Sequence, residues 1–147
     1  MTQIYLAGPF FSTEQIKRLK KVAVKLQQNP TVENYFSPMM DTNHAGLEEG
    51  TKKWQALVYQ EDMAGLTTAD VVVAIYDYIP GYTDPGTMFE IGYATAKKIP
   101  VVLYHEGPEP LNLMISQGLT TYVTEVKQLA TLDFTNLPKI AYQGDVF

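Results

Sequence analysis

With 147 residues, 46% of them apolar and 18% charged, the chain has the size and composition of one globular domain, which excludes disordered, collagen-like and coiled-coil architectures. Sixteen acidic against eleven basic residues leave a net charge of -5, the wrong sign for holding nucleic acid polymers by their phosphates. No cysteine is present and His44 and His105 do not stand at ligand spacing, so no metal site is expected.

The amino terminus has no basic leader, and no segment approaches the roughly 20 apolar residues of a bilayer span. A cytoplasmic protein without a membrane partner is expected. Residues 3–7 form a short apolar run that reads as a strand, followed by Gly8-Pro9 and by Ser12 and Gln15 at capping-box spacing. Ile16, Leu19, Val22, Ala23 and Leu26 recur at threes and fours, predicting an amphipathic helix that stops at Asn29-Pro30. A second strand is expected at residues 35–37, then a long loop at 38–50 rich in Asp, Asn, Gly and Pro, then a helix at 52–66.

Residues 71–76, Val-Val-Val-Ala-Ile-Tyr, are apolar on both faces and β-branched, the pattern of a central strand covered on both sides. A loop at 78–86 leads into a helix at 87–98, a strand at 101–104, a short helix at 111–117, a strand at 121–123 and a weak helix at 126–130. The tail from 133 shows no period. Five alternations of strand and helix predict an α/β fold over residues 1–147, a doubly wound five-stranded parallel sheet in a flavodoxin-like (Rossmann-like) three-layer sandwich. Ligands of such sheets bind beyond the carboxyl ends of the strands.

Neither a Walker loop nor G-x-G-x-x-G follows the first strand, so no nucleotide cofactor is signalled, and no G-x-S-x-G elbow is present. The strand ends are instead rich in carboxylates and aromatics. Glu90, about one turn into its helix, stands where the helix dipole favours an ionised carboxylate, either as a nucleophile or merely as a complement to the dipole. Asp62 shares an i, i+4 stripe with Trp54 and Val58, and Asp84 in Thr83-Asp84-Pro85-Gly86 has ordinary turn chemistry. Taken singly, none of the three carries a function.

Taken in order, the blocks residues 4–12 with Gln15, Trp54 with residues 59–63, residues 84–93 and residues 112–118 closely resemble the nucleoside 2-deoxyribosyltransferases, as does the ending Gly144-Asp145-Val146-Phe147. The resemblance implies ping-pong exchange of purine or pyrimidine bases on 2′-deoxynucleosides, with free nucleobases as co-substrates and no metal or cofactor. It implies Glu90 as the nucleophile, Asp62 as the acid for the departing base and Tyr5 as the phenol that positions the nucleophile. Asp84 is implied to hold the sugar hydroxyls, and Asp41 or Asn43 to read the base edge. Asn112 and Met114 are implied to be lent to a neighbouring subunit in a hexamer built of dimers sharing active sites, and the Phe147 carboxylate to reach the hydrogen-bond set around Tyr5.

Residue chemistry agrees: two carboxylates split a glycosidic displacement into two inversions, with net retention. Phe10, Phe11 and Trp54 can sandwich a planar base of any kind, with Gly8 beside them at the strand end. A related hydrolase of 2′-deoxynucleoside 5′-monophosphates would need hydroxyls and a basic residue at the sugar end, whereas Asp84 and the terminal carboxylate would make that end acidic. A noncatalytic nucleoside-binding module would not need both Glu90 and Asp62.

Overall fold

The computed structural model describes residues 2–41 and 46–147. Its strands β1 (Thr2–Ala7), β2 (Val32–Phe36), β3 (Val71–Ile75), β4 (Val101–Tyr104) and β5 (Thr121–Val123) form one parallel sheet in the order β2-β1-β3-β4-β5. The five-stranded doubly wound prediction is confirmed. Strand order reverses between β1 and β3, so the crevice for ligands opens at the carboxyl ends of these two strands.

The alternation of β1 sorts its side chains to two faces. Ile4 and Leu6 join Val71, Val73, Ile75, Val102 and Tyr104 against α1 (Thr13–Gln28), whose Leu19, Val22, Ala23 and Leu26 make the predicted apolar stripe. Tyr5 and Ala7 face the opposite way with Val72, Ala74 and Leu103, under α3 (Lys52–Thr67), α4 (Pro85–Ala96) and α5 (Leu113–Gly118). Leu66 is the one buried residue of α3, the others being partly buried or exposed. Among the described residues no helix is long and apolar enough to cross a membrane.

Several boundaries differ from expectation for identifiable reasons. β2 spans 32–36 and not 35–37, because Glu33 and Asn34 lie exposed on an edge strand where pairing with β1 outweighs their weak strand preference. A helical turn, α2 (Pro38–Asp41), interrupts the expected loop. α4 starts at Pro85, capped by Asp84, and stops at Ala96, since Lys98 takes a left-handed φ of 60°. The weak helix expected at 126–130 is a 3-10 helix (Val126–Ala130), and the aperiodic tail after it is not loose, since bridges pair Thr121 with Ile140 and Leu111 with Val146.

Asn29 closes α1 and ties it to that 3-10 segment. Its buried side chain donates to the carbonyls of Leu129 (2.8 Å) and Leu132 (2.7 Å) and accepts from the amide (2.8 Å) and hydroxyl (2.7 Å) of Thr31. Asn29→Ala leaves these groups without their partner and should lower stability by about 3 kcal/mol in urea unfolding. A loss below about 1 kcal/mol would show that water replaces the amide there.

Candidate active site

Four side chains at the β1/β3 crevice come from three elements and one cap. Tyr5, on β1, is fully buried, its ring stacked on Phe36 of β2 at 5.7 Å with 21° between planes. Asp84, also buried, caps α4: its Oδ2 accepts from the Thr87 amide (3.1 Å) and hydroxyl (2.6 Å), while Pro85 opens the helix without an amide to satisfy. Glu90 is the sixth residue of α4. Asp62 belongs to α3, which starts at its cap Thr51, whose hydroxyl accepts from the Trp54 amide at 3.3 Å.

All four line one open cavity of about 560 Å³. Helix α3 contributes Tyr59, Asp62, Met63 and Leu66, an i, i+3, i+4, i+7 face. Helix α4 and its cap contribute Asp84, Pro85, Gly86, Phe89 and Glu90, and the β1 end contributes Gly8, Phe10 and Phe11, with Pro38 closing the rim. Among the described residues no Lys, Arg or His lines this space. Phe11 is 68% exposed yet held in place: its ring stacks on Phe10 at 5.5 Å and meets Tyr78 edge-on at 6.4 Å. Buried Gln15 secures the arrangement, accepting from the Phe11 amide (2.8 Å) and donating to the Tyr78 carbonyl (3.5 Å). A planar ring entering the cavity therefore meets a preset aromatic wall.

Burial dominates the electrostatics. It pushes the Glu90 carboxyl up to about 7; the Tyr5 hydroxyl opposes this, and the charges of Asp62 and Asp84 add to it. The dipole expectation for Glu90 is therefore corrected. Because α4 starts two residues earlier than predicted, Glu90 lies beyond its first turn, where the dipole fades, and desolvation prevails. Burial and the facing Glu90 carboxylate raise the Tyr5 phenol far above its ordinary range, so it stays protonated. Its hydroxyl makes no bond of regular geometry, although Glu90 is near enough to act on it both as a charge and as an acceptor. In sites without substrate such contacts are often long and tighten when substrate binds.

The crevice thus collects Tyr5, Gly8, Phe10, Phe11, Asp62, Asp84 and Glu90, but not every expected residue. Trp54 is not on the wall: two i, i+4 steps from Asp62 turn it about 80° around the helix and carry it about 12 Å along the axis. Asp41 is also off the wall, and its Oδ2 accepts from the Ser37 amide at 2.7 Å, closing its own helical turn. Asn43 lies outside the described residues. Asn112, Met114 and Phe147 gather elsewhere. The Asn112 side chain caps α5 by accepting from the Met114 amide (2.9 Å), and an oxygen of Phe147 accepts from the Leu113 amide (2.8 Å) and the Asn112 side chain (3.3 Å). Phe147 therefore does not join Tyr5 within its own chain; it borders a separate hollow with Tyr76, Tyr82 and Thr83.

Tyr59 and Phe89 were missed as wall residues. Tyr59 was signalled by its helical spacing to Asp62, Met63 and Leu66, and Phe89 only by adjacency to Glu90.

Comparison with known proteins bears on the same chain. A family model described as nucleoside 2-deoxyribosyltransferase matches residues 4–129. A nucleoside deoxyribosyltransferase of Limosilactobacillus fermentum is 34% identical over 135 residues, which cover 83% of this chain and 79% of that protein. One from Lactobacillus leichmannii is 31% identical over an alignment of 157 residues, covering 98% of this chain and 97% of that one. The solved 2-deoxyribosyltransferase of Bacillus psychrosaccharolyticus superposes with a TM-score of 0.86 at 31% identity, covering 96% of this chain and 99% of the other. A family model across most of the length, relatives sharing a third of its residues and a common fold together assign the chain: it belongs to the nucleoside 2-deoxyribosyltransferase family.

Proposed function

We propose that this chain exchanges nucleobases on 2′-deoxynucleosides by double displacement through a deoxyribosyl ester of Glu90, with retention at the anomeric carbon. In the first half-reaction a Glu90 carboxylate oxygen bonds to C1′ as the C1′–N bond breaks. The electron pair of that bond leaves with the base, and Asp62 supplies the proton that makes the base a competent leaving group. In the second, a ring nitrogen of the incoming base attacks C1′, gives its proton to Asp62 and releases Glu90, so that two inversions restore the original configuration. Tyr5 orients Glu90, Asp84 holds the sugar hydroxyls, and Phe10 and Phe11 stack on the base.

The observation that carries this reading is the convergence of Glu90, Asp62, Tyr5 and Asp84 on one cavity with an aromatic wall. A lining with three carboxylates and, among the described residues, no cation favours a nucleoside over its 5′-phosphate. Asn112, Met114 and Phe147 are proposed to complete the site of a neighbouring subunit in a hexamer. Met114 and Phe147, at 76% and 67% exposure, stand on one outward-facing cluster, which supports that role.

The test is incubation with 2′-deoxyinosine or thymidine and adenine, with chromatography for 2′-deoxyadenosine. Its formation is expected. Release of free base without a new nucleoside would mean a hydrolase, and no turnover with either donor would mean a binding module.

A further inference from the structure

Gly65 lies in the last turn of α3, where a residue without a side chain allows something to come close. The Phe36 ring does. A Cβ at Gly65 would lie 2.7 Å from Cδ1 and 2.8 Å from Cγ of that ring, atoms near its root and fixed by the β2 backbone. The ring also stacks on fully buried Tyr5, the residue paired with it on the neighbouring strand, which limits its retreat. An atom added at Gly65 must instead push α3 outward by about 0.7 Å to reach ordinary contact. Asp62 lies one turn earlier on the same face of α3, and Tyr5 faces Glu90.

From this juxtaposition we infer that Gly65 and Phe36 are positioning residues that set the separation between Asp62 and Glu90. The Phe36 ring, set beside Tyr5, is a spacer between the sheet and the helix bearing Asp62, and the missing side chain at Gly65 seats the helix directly on it. Proton delivery to a departing base tolerates little displacement, and an error of about 1 Å in such geometry reaches the order of a hundredfold in rate. The inference rests on the proposed role of Asp62 as the acid.

The experiment measures kcat and KM for a series of purine 2′-deoxynucleosides graded by the basicity of the leaving base, in wild type, Gly65→Ala, Phe36→Ala, the double variant and Asp62→Asn. Gly65→Ala is expected to lower kcat about 10- to 100-fold, more for poorer leaving bases, with KM changing less than about threefold. Adding Phe36→Ala should return part of the loss, because alanine lacks the Cγ and Cδ1 that the new Cβ meets. A uniform loss across the series, or none in a folded Gly65→Ala protein, overturns the inference. Should Gly65→Ala fail to fold, Phe36→Ala alone decides: a changed leaving-group dependence supports the spacer, and an unchanged one refutes it. If Asp62→Asn shows the dependence and Gly65→Ala does not, only the spacing role fails. If Asp62→Asn lacks it, the acid assignment fails and the spacing role falls with it.

Discussion

Glu90→Gln should abolish base exchange and, in the same protein, raise stability above pH 7. The loss of activity follows from removing the atom proposed to bond C1′, and a reduction of roughly 10⁴-fold or more is expected, as for other enzymes stripped of their nucleophile. The gain in stability follows from burial. Folding lifts the Glu90 carboxyl from about 4.5 to about 7, so between these values the folded chain keeps a proton that the unfolded chain has released. Stability from this group is therefore greatest below about pH 4.5 and declines as pH rises towards 7. Above that it settles at a penalty of about 3 kcal/mol relative to acid pH. Glutamine has no proton to lose. Urea unfolding should find the variant no more stable than wild type at pH 4.5 but more stable at pH 8. The same ionisation should make wild-type kcat/KM fall as pH drops below about 7. Transfer within tenfold of wild type in Glu90→Gln would end the covalent proposal. Equal unfolding at both pH values would show that Glu90 ionises in the folded protein as easily as in the unfolded chain.

Asp62→Asn should lose activity by an amount set by the substrate and not by a fixed factor. Asparagine keeps the shape and a hydrogen bond but has no proton to give. Where the departing base is a poor leaving group, protonation carries much of the barrier, and a loss of about 10²- to 10⁴-fold is expected. Where the base leaves readily, the loss should shrink towards tenfold. Rates across a leaving-group series measure the difference directly. A parallel drop for every base would make Asp62 a binding residue and move the acid elsewhere in the cavity.

What could be read in the sequence was what local pattern controls. The β3 run declared itself because a strand covered on both faces has no polar alternation, and α1 did so by its stripe and its stop at Asn29. β2 was misplaced because its edge position lets Glu33 and Asn34 remain exposed inside a strand. At the site, the residue types were legible but their surroundings were not. Whether Glu90 is held ionised or protonated depends first on its burial and then on Tyr5, Asp62 and Asp84, which reach it from a strand, another helix and a cap. Trp54 was drawn in by a spacing that drifts off the face after two turns, while Tyr59 one turn before Met63 occupies the wall. Gly65 carries no signal at all until the Phe36 ring is seen against it.

The seating of α3 gives the enzyme a lever. Its one buried residue, Leu66, and its close contact at Gly65 both lie near its carboxyl end, so the helix is held there, and Tyr59 is the lining residue furthest from that hold. A tilt of about 10° about that hold moves Asp62, about 4.5 Å away, by roughly 0.8 Å. The same tilt moves Tyr59, about 9 Å away, by roughly 1.6 Å, and the start of the helix by more than 3 Å. A tilt that moves Tyr59 at the rim by about 1.6 Å thus already displaces Asp62 by most of an ångström, so the close contact at Gly65 sets how much of that tilt a proton donor at Asp62 would tolerate.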